Sequence, residues 1–458
     1  MTSRTADSEM REHNLNQGRW RLQSKMLPLI GVAVIVVTGM LYSFFWNTIY
    51  HHDPSWTTPS DLWNTFRASQ YVSWGGEGQI YNNPAHFQTF PGIAVLLAPI
   101  ARLSDALNLS ASFPLTLARP TAWLLLGPAE LMMGSVALFA LDRLALRLGI
   151  DGLRRMGLFA IEAVLIWPSV ALWGHPEDPL ALALAVYALL ASLDGRWIRA
   201  AMLAGLALAV QPFVILLVPI IVARAPMKEW PAMGGVVAIP SGLLLIAPLA
   251  QEWGPTMGVL RRQPNFPIGN HPTPWMSLAP VIRVGHTSVT RLAEYVTLPD
   301  GHRRLIEVSS RVHSAPIVAA GPGRLIAVAI ACLIGLLIWM KRPSTLRVIW
   351  LAALVLEIRC AFEPVMVPYY LLPGLTLVSV VAVGATKSRP RRVIALFAVA
   401  SCTLLSYQHL RPWAYYLAVM ASLSLAMITS WPRSNDADAH VVVATVHPRW
   451  FIKAHANE

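Results

Sequence analysis

Runs of apolar residues long enough to cross a hydrocarbon layer recur along almost the whole 458-residue chain, and they limit its fold more than any other feature. Candidate spans fall at 27–46, 90–106, 119–141, 157–172, 178–193, 200–223, 231–249, 323–340, 347–361, 364–385, 393–408 and 412–431. A helix needs roughly 17–25 residues to cross about 30 Å of hydrocarbon. Within lipid, only a helix or a closed barrel satisfies its own backbone groups. Charged residues make up 13% of the chain and mean hydropathy is +0.51, whereas soluble domains are about one quarter charged. The expectation is an all-α polytopic transmembrane helical bundle of about 11–13 spans. It occupies 27–431, between a polar, cytoplasmic segment 1–26 and a polar, partly disordered cytoplasmic tail 432–458.

The net charge of +12 does not point to nucleic acid. Basic residues cluster in short connections such as KRPSTLR (341–347) and KSRPRR (387–392), the pattern of cytoplasmic loops. RWRLQSK directly precedes the first span, and no cleavage site follows it, so that span reads as an uncleaved signal-anchor. On this orientation two long regions, 47–89 and 250–322, face outward. Strict alternation would also place Arg143, Arg147, Arg154 and Arg155 outside, against the charge bias. One of the segments 90–106, 157–172 and 178–193 is therefore expected to be a half-helix that does not cross. Cys332, Cys360 and Cys402 lie in apolar segments without metal-ligand spacing. No phosphate-cradling or dinucleotide-binding glycine motif is present, which argues against an ATP-driven machine.

The first outer region, HHDPSWTTPSDLWNTFRASQYVSWGGEGQIY, predicts an amphipathic helix from about Ser60 to Gly75, with Ser60 as its cap and Trp63 and Trp74 as interfacial anchors. Asp61 and, eight residues earlier, Asp53 are carboxylates placed where a lipid-borne substrate would meet them. A general base at an acceptor hydroxyl is one use for Asp61, and stabilising a helix N-terminus is the other. The second region is rich in arginine. RRQPNFPIGNHPTPW (261–275) gathers Arg261, Arg262, Asn270, His271 and Trp275, a set suited either to a phosphate and a sugar ring or to anionic headgroups. Arg359 and Glu363 sit at membrane depth in LEIRCAFEPVMVPYYLLP, as a phosphate clamp or as an i,i+4 pair joining helices. WGHPEDP (173–179) puts His175, Glu177 and Asp178 between two apolar segments. They could hold an acceptor, support another group, bind a divalent cation with His271, or form a polar turn capped by Asp178.

The order of an acidic residue soon after the first span, an interfacial helix, a Gly-then-Tyr turn at Gly75/Gly76/Gly78 with Tyr81, and an aromatic-Pro entry at Phe90-Pro91 resembles the C-type integral-membrane glycosyltransferases. It is most similar to the actinobacterial polyprenyl-phosphate-mannose-dependent mannosyltransferases. The resemblance covers about residues 27–290, with departures at Phe90-Pro91-Gly92 and at Gln211, where the family carries a charge. It implies a plasma-membrane enzyme whose site faces outward. That enzyme would move mannose or a pentose, with inversion, from a polyprenyl-phosphate donor to an envelope lipid or glycan. Asp61 would be the base, Asp178 a second carboxylate, and Tyr81, His175, Glu177, Arg261, Arg262, Asn270, His271, Trp275 and Arg359 would line the substrates. The donor replaces any cofactor. A transporter or flippase, or a non-catalytic partner in envelope assembly, remains the alternative.

Overall fold

The computed structural model describes residues 3–81, 87–111, 119–263, 265, 271–286, 291–297, 303–309, 314–385, 388–408 and 410–433, without the side chains of 3–25, 60, 283–316 and 385. Of the expected tail, 432–458, residues 434–458 lie outside the described residues. The chain is an all-α bundle. In order its helices are α1 (Ser3–Tyr50), α2 (Ser60–Ser73), α3 (Gly92–Ala106), α4 (Trp123–Ser135), α5 (Ala137–Arg147), α6 (Gly152–Ala171), α7 (Glu177–Leu193) and α8 (Trp197–Val210). They continue with α9 (Val218–Ala223), α10 (Trp230–Gln251), α11 (Trp253–Arg262), α12 (Gly323–Lys341), α13 (Thr345–Phe362), α14 (Leu372–Ala385), α15 (Arg389–Ser406) and α16 (Pro412–Ser430). Among the described residues, five stretches are helices long and apolar enough to cross a membrane: Met26–Tyr50, Trp123–Arg147, Met227–Gln251, Gly323–Lys341 and Pro412–Ser430. This is a multi-pass membrane protein. The other helices are shorter or carry buried charges, and the nearly fully buried α7 packs among α4, α5, α8 and α14.

Prolines account for most departures from the expected spans. Pro212 lacks an N–H and disfavours helical backbone in the residue before it. The expected span 200–223 is accordingly broken: Gln211 is extended at φ −147°, ψ 124°, between α8 and a 3-10 turn at Pro212–Leu216. Pro364 acts likewise on Glu363, which ends α13 in extended backbone. The span expected over 364–385 begins instead with a short strand at Val365–Met366 and becomes α-helical only at Leu372. The second polar region is not a bare loop. It holds α11 and the strands β1 (His271–Pro272), β2 (Val281–His286), β3 (Arg291–Thr297), β4 (Arg303–Ser309) and β5 (Ser314–Val318). β2 pairs with β5, β3 with β4, and β1 with β6 (Val365–Met366), all antiparallel.

Segment 90–106, one of the three in which a half-helix is expected, forms α3. α3 lies along α2, and Asp105 near its end accepts hydrogen bonds from Gln70 of α2 and from Trp74 just after it, at 3.2 and 2.7 Å. Its start, Gly92, lies against the backbone of Ala209 and Val210 at the end of α8. α3 therefore stays at one end of the bundle. α4 begins at that same end, with the Trp123 ring 6.3 Å from Trp63 of α2. Trp123–Arg147 then runs 25 residues, about 37 Å at 1.5 Å per residue, to the opposite end. There Arg155 and Asp142 make a buried ion pair at 3.0 Å, and Arg147 pairs with Asp194. α6 returns to the first end and delivers residues 173–178 beside α2.

Two glycines set the turns at this end. Gly75, at φ 78°, closes α2 in left-handed backbone. Gly174, at φ 68°, packs so closely on α2 that an added Cβ would lie 2.7 Å from Pro59 Cβ and from Leu62 Cβ. Gly174→Ala is therefore expected to destabilise the protein by about 1–3 kcal/mol, from backbone strain and overpacking. Gly157→Ala, on α6 with open space around it, should be neutral or slightly stabilising. Thermal unfolding of both variants in detergent checks this, and equal losses would contradict it.

Candidate functional site

The tight turn at Gly174 projects His175 toward the first turn of α2, where Asp61 lies one residue into the helix. The two ring nitrogens of His175 face two different carboxylates. Nε2 is 3.3 Å from Asp61 Oδ2, and Nδ1 is 2.7 Å from Glu177 Oε1. With an ionised carboxylate at each nitrogen, the ring donates to both as the imidazolium. Tyr369 stacks on its face at 3.9 Å. Exposure falls steeply inward: the Asp61 side chain is 50% accessible, His175 15% and Glu177 4%. Burial disfavours the imidazolium, but the Glu177 charge, the hydrogen bonds with Asp61 and Glu177, and the Asp178 charge outweigh it. They raise the His175 pKa well above its ordinary value.

Neither Asp61 nor Asp178 is a helix cap. α2 is preceded by Pro59 and α7 by Pro176, without side-chain capping bonds, and Glu177 and Asp178 occupy the first turn of α7. Asp178 is fully buried and accepts from Gln211 Nε2 at 2.6 Å; its other oxygen has no hydrogen-bond partner. Pro212 has freed Gln211 from helical geometry for this bond. Thr89 joins the same group, 3.3 Å from Gln211 Oε1, and its carbonyl accepts the Tyr81 hydroxyl at 2.9 Å. Tyr81, expected at the substrate, is instead buried against Phe87, and that burial raises its pKa. Asp53 accepts from Ser55 N at 2.8 Å in a local turn.

A second cluster adjoins the first through Arg359, whose charge acts on Asp178. The Arg359 guanidinium lies over the Tyr370 ring at 4.1 Å and the Phe213 ring at 5.5 Å, and bonds Glu363 at 3.2 Å. Arg324, in the first turn of α12, bonds both oxygens of Glu363 at 2.8 and 3.0 Å. It also bonds Gln263 and, at 3.4 Å, Asn265. One buried carboxylate thus faces two guanidinium groups. The second loop is tied to the cluster: Thr273 bonds the carbonyls of Glu363 and Pro364, and β1 pairs with β6.

The other loop residues make contacts of their own. Arg261 and Arg262 are exposed at the end of α11. His271 stacks on Tyr415 at 3.6 Å, and Trp275 lies against Phe362 at 4.8 Å. Asn270 lies outside the described residues. Among the described residues, no three His, Cys, Asp or Glu side chains are arranged to hold a metal ion. Sequence reasoning passed over Arg324, which falls at the start of the expected span 323–340, and Glu130. Glu130 on α4 is fully buried, has no hydrogen-bond partner for either oxygen, and lies within electrostatic reach of Glu177 and His175. A lone carboxylate inside an apolar helix (WLLLGPAELMMGS) was the available signal.

No protein-family model matches the chain, and no curated protein does.

Because its pKa is raised on folding, His175 contributes stability that is fully present below about pH 6.5, the ordinary histidine pKa, and lost as pH rises through the folded pKa. The melting-temperature advantage of wild type over His175→Gln should be greatest near pH 6 and shrink toward alkaline pH. A difference that grows with pH would contradict the imidazolium assignment. Removing one partner of a buried ion pair costs about 3–5 kcal/mol. Glu363→Gln, which strands two guanidiniums, should approach the lower end of that range in denaturant unfolding.

Proposed function

We propose that this protein is a membrane glycosyltransferase that moves a sugar from a polyprenyl-phosphate donor to a lipid or glycan acceptor at the outer face of a bacterial plasma membrane. The carrying observation is that a half-exposed carboxylate, Asp61, and a two-arginine cluster, Arg324 and Arg359, share one end of a membrane-embedded bundle, with the buried Asp178 within electrostatic reach of His175 and Arg359. Transfer to a hydroxyl with inversion needs those two elements. A base takes the acceptor proton as the new bond forms on the anomeric carbon, and fixed cations stabilise the phosphate as its bond to that carbon breaks. Asp61 fits the first role. Arg324 and Arg359 fit the second, as planar forks that Glu363 holds in place. Asp178 supports the acceptor side.

A second reading, transport of lipid-linked or polar solutes, draws on the break at Gln211 and on the unpartnered buried carboxylates Glu130, Glu162 and Glu357. Interrupted helices and intramembrane carboxylates are common at transporter binding sites. The two readings separate in one experiment. Purified protein in nanodiscs, given a radiolabelled polyprenyl-phosphate sugar and envelope acceptor lipids, should release polyprenyl phosphate and label the acceptor. Asp61→Asn should lower that rate by about 10²–10⁴-fold, the usual worth of a general base. Transfer that survives Asp61→Asn overturns the base assignment. No transfer by wild type, with solute uptake into proteoliposomes, favours transport.

A further inference from the structure

We propose that His175 and Glu177 form a proton-shifting pair behind Asp61, so that the His175 Nδ1 proton moves to Glu177 Oε1 as Asp61 takes up the acceptor's proton. This rests on the reading above, in which Asp61 is the base.

The geometry carries it. An imidazolium between two charged carboxylates sets one positive charge against two negative ones, and Asp61 Oδ2 accepts from its Nε2. Once Asp61 is neutral, His175 and Glu177 are left as an ion pair in a place where they are 15% and 4% accessible. An ion pair buried that deeply carries the desolvation cost of both charges. Shifting the Nδ1 proton 2.7 Å to Glu177 leaves three neutral groups, still hydrogen-bonded to one another.

The step balances. The acceptor O–H breaks and its proton joins Asp61. The acceptor oxygen bonds the anomeric carbon while the carbon–phosphate oxygen bond breaks, its electron pair staying on the phosphate. One proton passes from His175 to Glu177 and returns when Asp61 releases its own. Glu177 is placed to receive it. Its second oxygen, Oε2, has no hydrogen-bond partner. The charged and titratable groups around the ring are Asp61 from α2, Glu177 and Asp178 from α7, Glu130 from α4 and Tyr369 stacked on its face; Arg359 from α13 acts on Asp178. His175 and Glu177 are thus positioning residues that act through Asp61.

Two measurements test this on the full chain in nanodiscs. The first, NMR of 15N-labelled histidine, needs no substrate. His175 should titrate above the ordinary histidine range in wild type, and both Asp61→Asn and Glu177→Gln should lower its midpoint. Midpoints unmoved in both variants overturn the pair. The second is transfer kinetics in mixtures of light and heavy water. Wild type should show a curved dependence of rate on deuterium fraction, because two protons move. Glu177→Gln, which keeps an acceptor at Nδ1 but takes no proton, should show a linear one. It should also lose about 10²-fold in kcat, at the low end of acid–base effects, with KM nearly unchanged, and Glu177→Asp should recover part of the loss. A Glu177→Gln enzyme with wild-type kcat and curvature overturns the proposal, as does a loss in KM alone. Absence of transfer by wild type overturns the base reading beneath it, a failure recognisable because the NMR midpoints would still have moved.

Discussion

The end of the bundle where α2, α6 and α7 meet is organised by one imidazole held between two carboxylates. His175 reaches Asp61 on one side and Glu177 on the other, and each bond depends on backbone set some distance away. Gly174 turns left-handed so that α6 can press on α2 at Pro59 and Leu62. Pro176 and Pro179 flank the start of α7 and leave its first turn to two carboxylates, where exposed amides favour negative charge. The imidazolium offsets that charge. Without it, Asp61, Glu177 and Asp178 would stand together, with the Arg359 charge acting on Asp178 and Gln211 bonded to it.

The arginine cluster obeys the same electrostatic rule with signs reversed. Arg324 and Arg359 arrive from different helices and share the buried Glu363, which Pro364 holds in extended backbone at the end of α13. A carboxylate shared by two guanidiniums leaves one positive charge over. It therefore anchors the forks without cancelling them, and an anionic group remains welcome beside them. Hydrogen bonds from Thr273 and the β1–β6 pairing fasten the second polar region onto this cluster. A carboxylate centre and a cationic centre are thereby fixed side by side on rigid elements.

Much of this could be read before the fold was known. Period, length and charge clustering specify a helical membrane bundle. Where 90–106 packs could not be read, because it is as apolar as a short span; Asp105 ties it to Gln70 and Trp74. Asp61, His175, Glu177, Asp178 and Arg359 were visible as charges at membrane edges, but their assembly depends on turns and proline breaks. Arg261, Arg262, His271 and Trp275 were conspicuous by composition, yet the chain directs them outward or onto aromatic neighbours. Arg324 and Glu130 were passed over, each a lone charge within an apolar run.

The central claim is that the two charged clusters form one substrate site, and the position of a bound phosphate tests it most directly. A cryo-electron microscopy structure with a short-chain isoprenyl phosphate should show the phosphate oxygens about 2.7–2.9 Å from the guanidiniums of both Arg324 and Arg359, the usual range for charge-assisted bonds. Its headgroup should open toward Asp61. A phosphate bound instead at Arg261 and Arg262, with Arg324 and Arg359 engaged only with Glu363, would contradict the account.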